Sequence, residues 1–442
     1  MCERYDLIAI GSGPAGRRAA AEAAARGART AVVEREGAIG GAGAMRGTIP
    51  RRTLRAAIVE LTGIHGRARQ PAVIEEDDLL WRTWLVVERE QERIYDELRR
   101  LRIDLIIGDA AFCDPHTLEI RAGDGPVRVR ADRIVIAVGT VPARPASVGF
   151  DGQTVFDADG VAGIARRPPT LVVVGAGAAG LECASMAAAL GSRVTVIEER
   201  EQLLEDVDAE LVETLAYHLR GLGVTFRLGE RVETARRCRA GGAITRLRGG
   251  ERIRSAAVLH TAGRQVDTAP LELAAAGLES DQQGRIAVDA RFRTAQPHIS
   301  AAGEVIARGC RRTAQACSIA TIPELAHAGH GERELDDAGV PFLRGRARYR
   351  DLTRASIDGE RTGLLKLLVH AGTRQLLGVH VLGASAGEIV HIGQTVLEAG
   401  LPADRLAEIA FGEATYADAY RVAGADACGR LPRSSARSTG RL

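Results

Sequence analysis

Short apolar runs alternate with alanine-rich amphipathic stretches through the first two thirds of the chain, a pattern that predicts strands followed by helices in parallel sheets. Asp6 to Ile10 reads as a strand, Gly11-Ser12-Gly13-Pro14-Ala15-Gly16 as a glycine turn, the stretch to about Arg26 as a helix, and Thr30 to Glu34 as a second strand. The design recurs from Leu171. Val172 to Val174 leads into Gly175-Ala176-Gly177-Ala178-Ala179-Gly180, a helix to about Leu190, and a strand from Val194 to Glu198. Glu34 stands 23 residues after Gly11, and Glu198 stands 23 after Gly175.

Each half carries a later strand that ends in small residues, Ile134 to Ala137 before Val138-Gly139-Thr140 and Val258 to His260 before Thr261-Ala262-Gly263. Between Glu75 and Leu101, Leu79, Leu80, Trp84, Val87, Ile94, Leu98 and Leu101 fall on or near one face of a long helix, predicting core packing. Ile299 to Val305 reads as a strand returning to the first sheet, so the second unit is expected to be inserted in the first. From about Thr321 the pattern changes. Leu364 to Val369 and Leu377 to Leu382 resemble antiparallel strands, and Ala386 to Ala399 a helix with Ile389, Ile392, Val396 and Leu397 apolar. The predicted fold is α/β, two nested Rossmann-like dinucleotide units and a C-terminal α+β domain. The expected boundaries are 1–150 with 271–320, 151–270, and 321–430, with 431–442 a polar, flexible tail.

The repeated turn has a physical reading. Gly11 and Gly175 permit the tight turn, Gly13 and Gly177 let backbone N–H groups reach a pyrophosphate, and Gly16 and Gly180 let the helix pack close with its positive end toward the phosphates. Glu34 and Glu198 can then accept hydrogen bonds from ribose hydroxyls. Glu198 favours an unmodified 2′-hydroxyl and so NADH, while Arg200 could neutralise a 2′-phosphate. Two copies with strand, helix and acid in register make a chance pair of turns a poor explanation.

Charge and cysteine usage narrow the partners. Lys and Arg total 59 against 57 Asp and Glu, a net charge of +2, which gives no long-range field for nucleic acid or an anionic membrane. Lys366 is the only lysine, so 58 of the basic residues are arginine. Cys2, Cys113, Cys183, Cys238, Cys310, Cys317 and Cys428 are scattered and form no CxxC, predicting neither a disulfide framework nor zinc. His327 and His330 have ligand-like spacing without a third ligand, so no metal is expected. The chain enters its first strand by Tyr5 without a basic and apolar leader, and no stretch approaches 18 apolar residues; a cytoplasmic, soluble protein is the expectation.

Two nested dinucleotide units before an α+β domain resemble the FAD-dependent pyridine nucleotide-disulfide oxidoreductases. The resemblance covers about Tyr5 to Leu431. It rests on Glu34-Arg35 with Ile39-Gly40-Gly41, on Gly47-Thr48-Ile49-Pro50, on Ala301-Ala302-Gly303-Glu304 and on Glu388-Ile389-Val390-His391-Ile392-Gly393-Gln394. Thr294-Ala295-Gln296-Pro297-His298 and Ala417-Asp418-Ala419-Tyr420-Arg421-Val422-Ala423 bring it nearest to the family's soluble pyridine nucleotide transhydrogenases. The resemblance implies FAD on the first unit, at Gly11, Gly13, Pro14, Ala15, Gly16, Glu34, Arg35, Gly41, Thr48, Ala111, Ala137, Gly139, Gly303 and Glu304. It implies NAD(P)H on the second, at Gly175, Gly177, Ala178, Gly180, Glu198 and Gly263, and a twofold homodimer.

Where the family's disulfide reductases carry C-x4-C, this chain has Gly43 and Thr48, which supply no thiolate. Arg52 falls at the family's flavin-side lysine and Glu182 at that lysine's carboxylate partner, so the resemblance implies an Arg52–Glu182 pair. The family's His-x4-Glu acid/base pair, given by the partner subunit, reads Glu413 and Asp418 here. Glu304 replaces an aspartate that holds the ribityl chain. The segment from Val305 to Thr321 is shorter than its transhydrogenase counterpart, with one or two helical turns expected over Ala314 to Ala320. Three functions remain open: transhydrogenase-like hydride transfer from NAD(P)H to flavin and on to a second nicotinamide or small acceptor; a flavoprotein reductase or oxidase of a quinone, oxygen or metabolite with Glu413 handling protons; and a nucleotide-binding paralogue without activity.

Overall fold

The computed structural model describes residues 3–63, 76–123, 125–307 and 315–429. Cys2, Cys310, Ala314 and the tail from Arg430 to Leu442 lie outside the described residues.

The first unit runs through β1 (Glu3–Ile10), α1 (Pro14–Ala25), β2 (Thr30–Glu34), α2 (Gly41–Met45), α3 (Thr48–Thr62) and α4 (Glu76–Arg100). It continues with β3 (Asp104–Ile107), β4 (Asp109–Asp114), β5 (Thr117–Ala122), β6 (Gly125–Ile136) and the short β7 (Val141–Pro142). Strands β3, β2, β1 and β6 lie side by side in parallel, and β5 and β4 extend the sheet antiparallel. Ile8, Ala9 and Ile10 are buried in succession, as a strand covered on both faces requires.

The second unit contains β8 (Val155–Asp157), α5 (Val161–Ala165), β9 (Thr170–Val174), α6 (Ala178–Ala189), β10 (Arg193–Glu198), α7 (Ala209–Gly221) and β11 (Val224–Leu228). After them come β12 (Val232–Arg237), β13 (Ala243–Leu247), β14 (Arg252–Ser255), β15 (Ala257–His260) and β16 (Arg264–Gln265). Its parallel sheet has the order β11-β10-β9-β15-β8, with β12-β13-β14 as a separate antiparallel sheet. Residues Gly180 to Ala188 of α6 are all buried. A helix buried on every side tolerates little but small and apolar residues, which explains its composition. β16 pairs back on β7, and β17 (Ile299–Ala301) re-enters the first sheet parallel to β6, so the second unit is inserted in the first.

The third region contains β18 (Cys317–Ile319), β19 (Leu325–Gly329), α8 (Glu332–Asp337), β20 (Phe342–Arg348), α9 (Thr353–Asp358), β21 (Leu364–His370) and β22 (Leu376–Leu382), then α10 (Ala386–Glu398), α11 (Asp404–Glu408) and α12 (Asp418–Ala427). Its antiparallel sheet has the order β18-β19-β22-β21-β20. Two expectations are corrected here. Cys317 to Ile319 is a strand rather than the end of a helix, because it turns back to pair with Leu325 to His327. Trp84 is 50% exposed, since the buried face of α4 is set by Leu79, Thr83, Val87, Ile94 and Leu98, and Trp84 lies well round the helix from it.

Candidate active site

Both glycine turns are built alike. A Cβ on Gly11, at φ +109°, would stand 2.4 Å from the Ala137 carbonyl oxygen, and one on Gly16 would stand 2.0 Å from the Gly11 oxygen. In the second unit a Cβ on Gly175, at φ +98°, would lie 2.9 Å from Ala262 N, and one on Gly180 would lie 2.0 Å from the Gly175 oxygen. These four glycines are therefore required by the fold itself. Gly13 and Gly177 are different, with nothing within 4 Å of where a Cβ would go. Each is the N-cap of its helix, α1 or α6, with no side chain capping the free N–H groups, and Pro14 opens α1. Open space before uncapped helical N–H groups is what a pyrophosphate needs.

The acids close each turn. Glu34 is buried and accepts hydrogen bonds from the Ser12 N–H (3.1 Å), the Ser12 hydroxyl and the Glu36 N–H (3.1 Å), while the Gly40 N–H donates to Ser12 Oγ at 2.8 Å. Arg35 is tied to Asp109 (2.9 Å) and Asp267 (3.2 Å). Glu198 accepts from the Ala176 N–H at 2.6 Å and from Arg200 Nε at 3.0 Å. Burial alone would raise its pKa, but the Arg200 and backbone hydrogen bonds outweigh that and hold the carboxyl below its ordinary value.

Other predicted positions surround the first turn. Gly41 (φ +65°) would put a Cβ 2.8 Å from Gly13 Cα, and a Cβ on Gly303 would stand 3.3 Å from the Ala15 Cβ. Gly139 and Gly263 both have positive φ. Ala137 is buried, and Ala111 is buried in β4 on the face opposite Ala110 and Phe112. Glu304 is exposed and accepts from the Thr140 hydroxyl, and Arg264 Nε donates to Thr140 Oγ1 at 2.7 Å. Thr48 is exposed at the start of α3, and a Cβ on Gly43 would meet nothing.

Between the turns, α3 faces α6. Glu182, 8% exposed, forms its ion pair with Arg51 (Nε to Oε2, 3.1 Å) and accepts the Ala320 N–H on Oε1 at 2.8 Å. The expected Arg52–Glu182 pair is thus corrected: Arg52 donates to Ser318 Oγ at 2.5 Å and lies 3.9 Å from Glu324. Neighbours on a helix point about 100° apart, so only one of the two arginines can face α6. Cys183, next along α6, is fully buried, and burial pushes its thiol up to about 12, leaving it without nucleophilic character. Among the described residues no cluster of three or more His, Cys, Asp or Glu side chains could hold a metal, and no helix is long and apolar enough to cross a membrane.

Residues 5–332 match the family described as pyridine nucleotide-disulphide oxidoreductase, and residues 316–423 match that family's dimerisation domain. The chain belongs to the pyridine nucleotide-disulphide oxidoreductase family. It is similar to the soluble pyridine nucleotide transhydrogenase of Mycobacterium tuberculosis, 42% identical across 97% of this chain and 98% of that one. The protein of the same name from Chromohalobacter salexigens is 36% identical over 97% and 99% of the two chains. Among solved structures, the HOCl-induced flavoprotein disulfide reductase RclA of Escherichia coli superposes with a TM-score of 0.86 at 25% identity, covering 95% of this chain and 99% of that one. LpdA of Mycobacterium tuberculosis gives 0.88 at 22% identity over 96% and 99%, a likeness of fold. As a member of this family the chain is an FAD- and NAD(P)H-dependent oxidoreductase, which sets aside the reading without activity. The two uncapped turns fit a dinucleotide each, and the dimerisation domain fits a homodimer.

The two carboxylates carried over from the family's acid/base pair differ in setting. Asp418, at the start of α12, is held by Arg421 through bonds of 2.7 and 2.9 Å, while Glu413 is exposed in the preceding turn. Sequence reasoning missed Ser12 and Arg51. Ser12 stands inside the glycine turn, where its hydroxyl links Glu34 to the Gly40 loop, and a hydroxyl at that point was the available signal.

Proposed function

We propose that the chain oxidises NAD(P)H and delivers the reducing equivalents to a second nicotinamide nucleotide, or to a small acceptor, without a disulfide relay. The carrying observation is the pair Gly43 and Thr48, standing where a dithiol would be needed, with Cys183 too deeply buried to replace it. The names of the relatives from Mycobacterium tuberculosis and Chromohalobacter salexigens support the nicotinamide acceptor. FAD, when bound, supplies a ring that takes a hydride from one nicotinamide and gives it up to an acceptor.

The first turn, with Gly13, Glu34 and Gly41, would hold FAD, and the second, with Gly177, Ala178 and Glu198, would hold NAD(P)H. Arg51 is buried against Glu182, and its guanidinium supplies positive charge where α3 meets α6, the helix that opens at the second turn. There it would stabilise developing negative charge. Glu198 can accept a ribose hydroxyl, which favours NADH as donor. Arg200, 46% exposed, can leave Glu198 and turn its fork to a 2′-phosphate without moving the backbone, which would let one site take both coenzymes in turn.

Steady-state oxidation of NADH with thio-NADP+, menadione or oxygen as acceptor tests this. Thio-NADP+ should support the highest kcat/KM, with ping-pong kinetics and a lower KM for NADH than for NADPH. Menadione exceeding thio-NADP+ by about tenfold or more would move the function to quinone reduction.

A further inference from the structure

Lys366 is the chain's only lysine, and it is 2% exposed in the middle of β21. Its Nζ meets three carboxylates: Asp208 at 2.8 Å, Glu210 at 3.0 Å and Glu332 at 2.6 Å. Asp208 and Glu210 belong to the second nucleotide unit, where Asp208 caps α7 by accepting the Glu210 N–H at 3.1 Å. Glu332 begins α8, in the same domain as Lys366. Arg346 of β20 adds a second crossing, its Nε donating to both oxygens of Glu210 at 3.0 Å, and Arg344 braces Glu332 at 2.7 and 2.9 Å. Three cations therefore meet three anions. His380, the cross-strand neighbour of Lys366, is fully buried and kept neutral by that burial, so it adds no further positive charge.

The residue type carries the argument. In a chain where 58 of 59 basic residues are arginine, arginine serves even the half-exposed rim of this cluster, at Arg344 and Arg346. Only the centre is lysine. An ammonium is a compact point charge with three tetrahedral donors, matching three carboxylates that converge on one point. A guanidinium is planar and larger, and its fork serves carboxylates lying in its own plane. Burying a cation this deeply is costly unless it is well paired, and here three carboxylates lie within 3.0 Å of the ammonium.

We propose that Lys366 is a positioning residue, a three-way clamp that seats the second nucleotide unit on the dimerisation domain and so fixes where NAD(P)H is presented to the first unit. The clamp grips the N-cap of α7, the helix that follows the strand ending in Glu198, so the ribose acid and the clamp share one rigid unit. The clamp's bearing on coenzyme rests on the second turn holding NAD(P)H; the clamp itself does not.

Because the chain has a single lysine side chain, an acylating reagent reads the clamp directly. Flavin-loaded protein is treated with sulfo-NHS-acetate at about pH 8, and Lys366 is followed by peptide mass spectrometry against a guanidinium-unfolded sample. Lys366 should react at least about a hundredfold more slowly in the native protein, and NADH should slow it further. Glu210→Gln, which removes one outer carboxylate charge, should speed acylation by about tenfold and raise the KM for NADH with kcat changed less than about threefold. Lys366→Arg should be as damaging as Lys366→Met in both KM and unfolding temperature. Wild-type KM and stability in Lys366→Arg, or rapid native acylation, would overturn the clamp. Slow acylation released by Glu210→Gln, in a wild-type protein that shows no NADH oxidation, would keep the clamp and remove the coenzyme reading. Should the Lys366 variants fail to fold, acylation of the Glu210→Gln protein decides alone.

Discussion

At the scale of single residues, the junction of α3 and α6 makes the sharpest demand. Arg51 and Arg52 are adjacent, yet only Arg51 reaches Glu182, and it does so with both side chains largely buried, at 15% and 11% exposure. Arg51→Met should leave Glu182 as an unpaired buried carboxylate and lower the rate of flavin reduction by NADH by at least about tenfold in stopped-flow. Arg52→Met removes a contact at the protein surface and should change the same rate less than about threefold. The reverse ranking would return the role to Arg52. The offset from Pro50 pointed to Arg52 because a sequence offset counts residues, whereas contact depends on which way each one faces round the helix. An adjacent pair of like residues is the case in which those two measures part.

At the scale of elements, the nucleotide turns were legible almost entirely, because their requirements are local. Strand, turn, helix and acid are successive in sequence, and each glycine answers to backbone atoms a few residues away or on the neighbouring strand. The structure adds that the three glycines of a turn differ in kind. Gly180→Val would drive a Cβ into the Gly175 carbonyl and should cost about 3 kcal/mol or more of stability. Gly177→Val has free space around it and should cost only about 1 kcal/mol, chiefly a less favourable cap, while filling the room a pyrophosphate needs. Thermal unfolding set beside titration with NADH separates the two. Gly177→Val should stay folded, keep its flavin absorbance and lose NADH binding by about tenfold or more, and unchanged binding would remove the pyrophosphate from this turn. Less legible was Cys317 to Ile319, whose pairing with β19 is reached through a turn that no local pattern announces. Trp84 misled for a related reason, since an aromatic residue near an apolar face looks buried until the neighbours that define the face are known.

At the scale of the whole molecule, the clamp around Lys366 ties stability to pH with a definite sign. Glu332 is held down at about 2, where burial would raise it but hydrogen bonds from Arg344 and Lys366 prevail, and Glu210 is lowered by Lys366 and Arg346 against the same opposing burial. A carboxyl depressed on folding contributes its full stability above its unfolded pKa, 4.5 here, and loses it as the pH falls toward the folded value. Lys366 is shifted the other way. Burial lowers it, but Asp208 and Glu332 more than compensate, so its contribution is complete below 10.5 and is lost as the pH rises through the folded value. The stability difference between wild type and Lys366→Met should therefore be flat from about pH 7, above the ordinary range of the neighbouring His380, to about pH 10, and shrink steadily below about pH 4.5. Chemical denaturation across that range measures it. A difference that persisted unchanged to pH 3 would mean that Lys366 stabilises by packing rather than charge. The acid limb also bears on assembly, because Glu210, whose stabilising ion pairs are lost as the pH falls below its ordinary value, joins the second nucleotide unit to the dimerisation domain. Acid should loosen that joint, and amide hydrogen exchange at about pH 3.5 should open β21 and α7 before the first sheet.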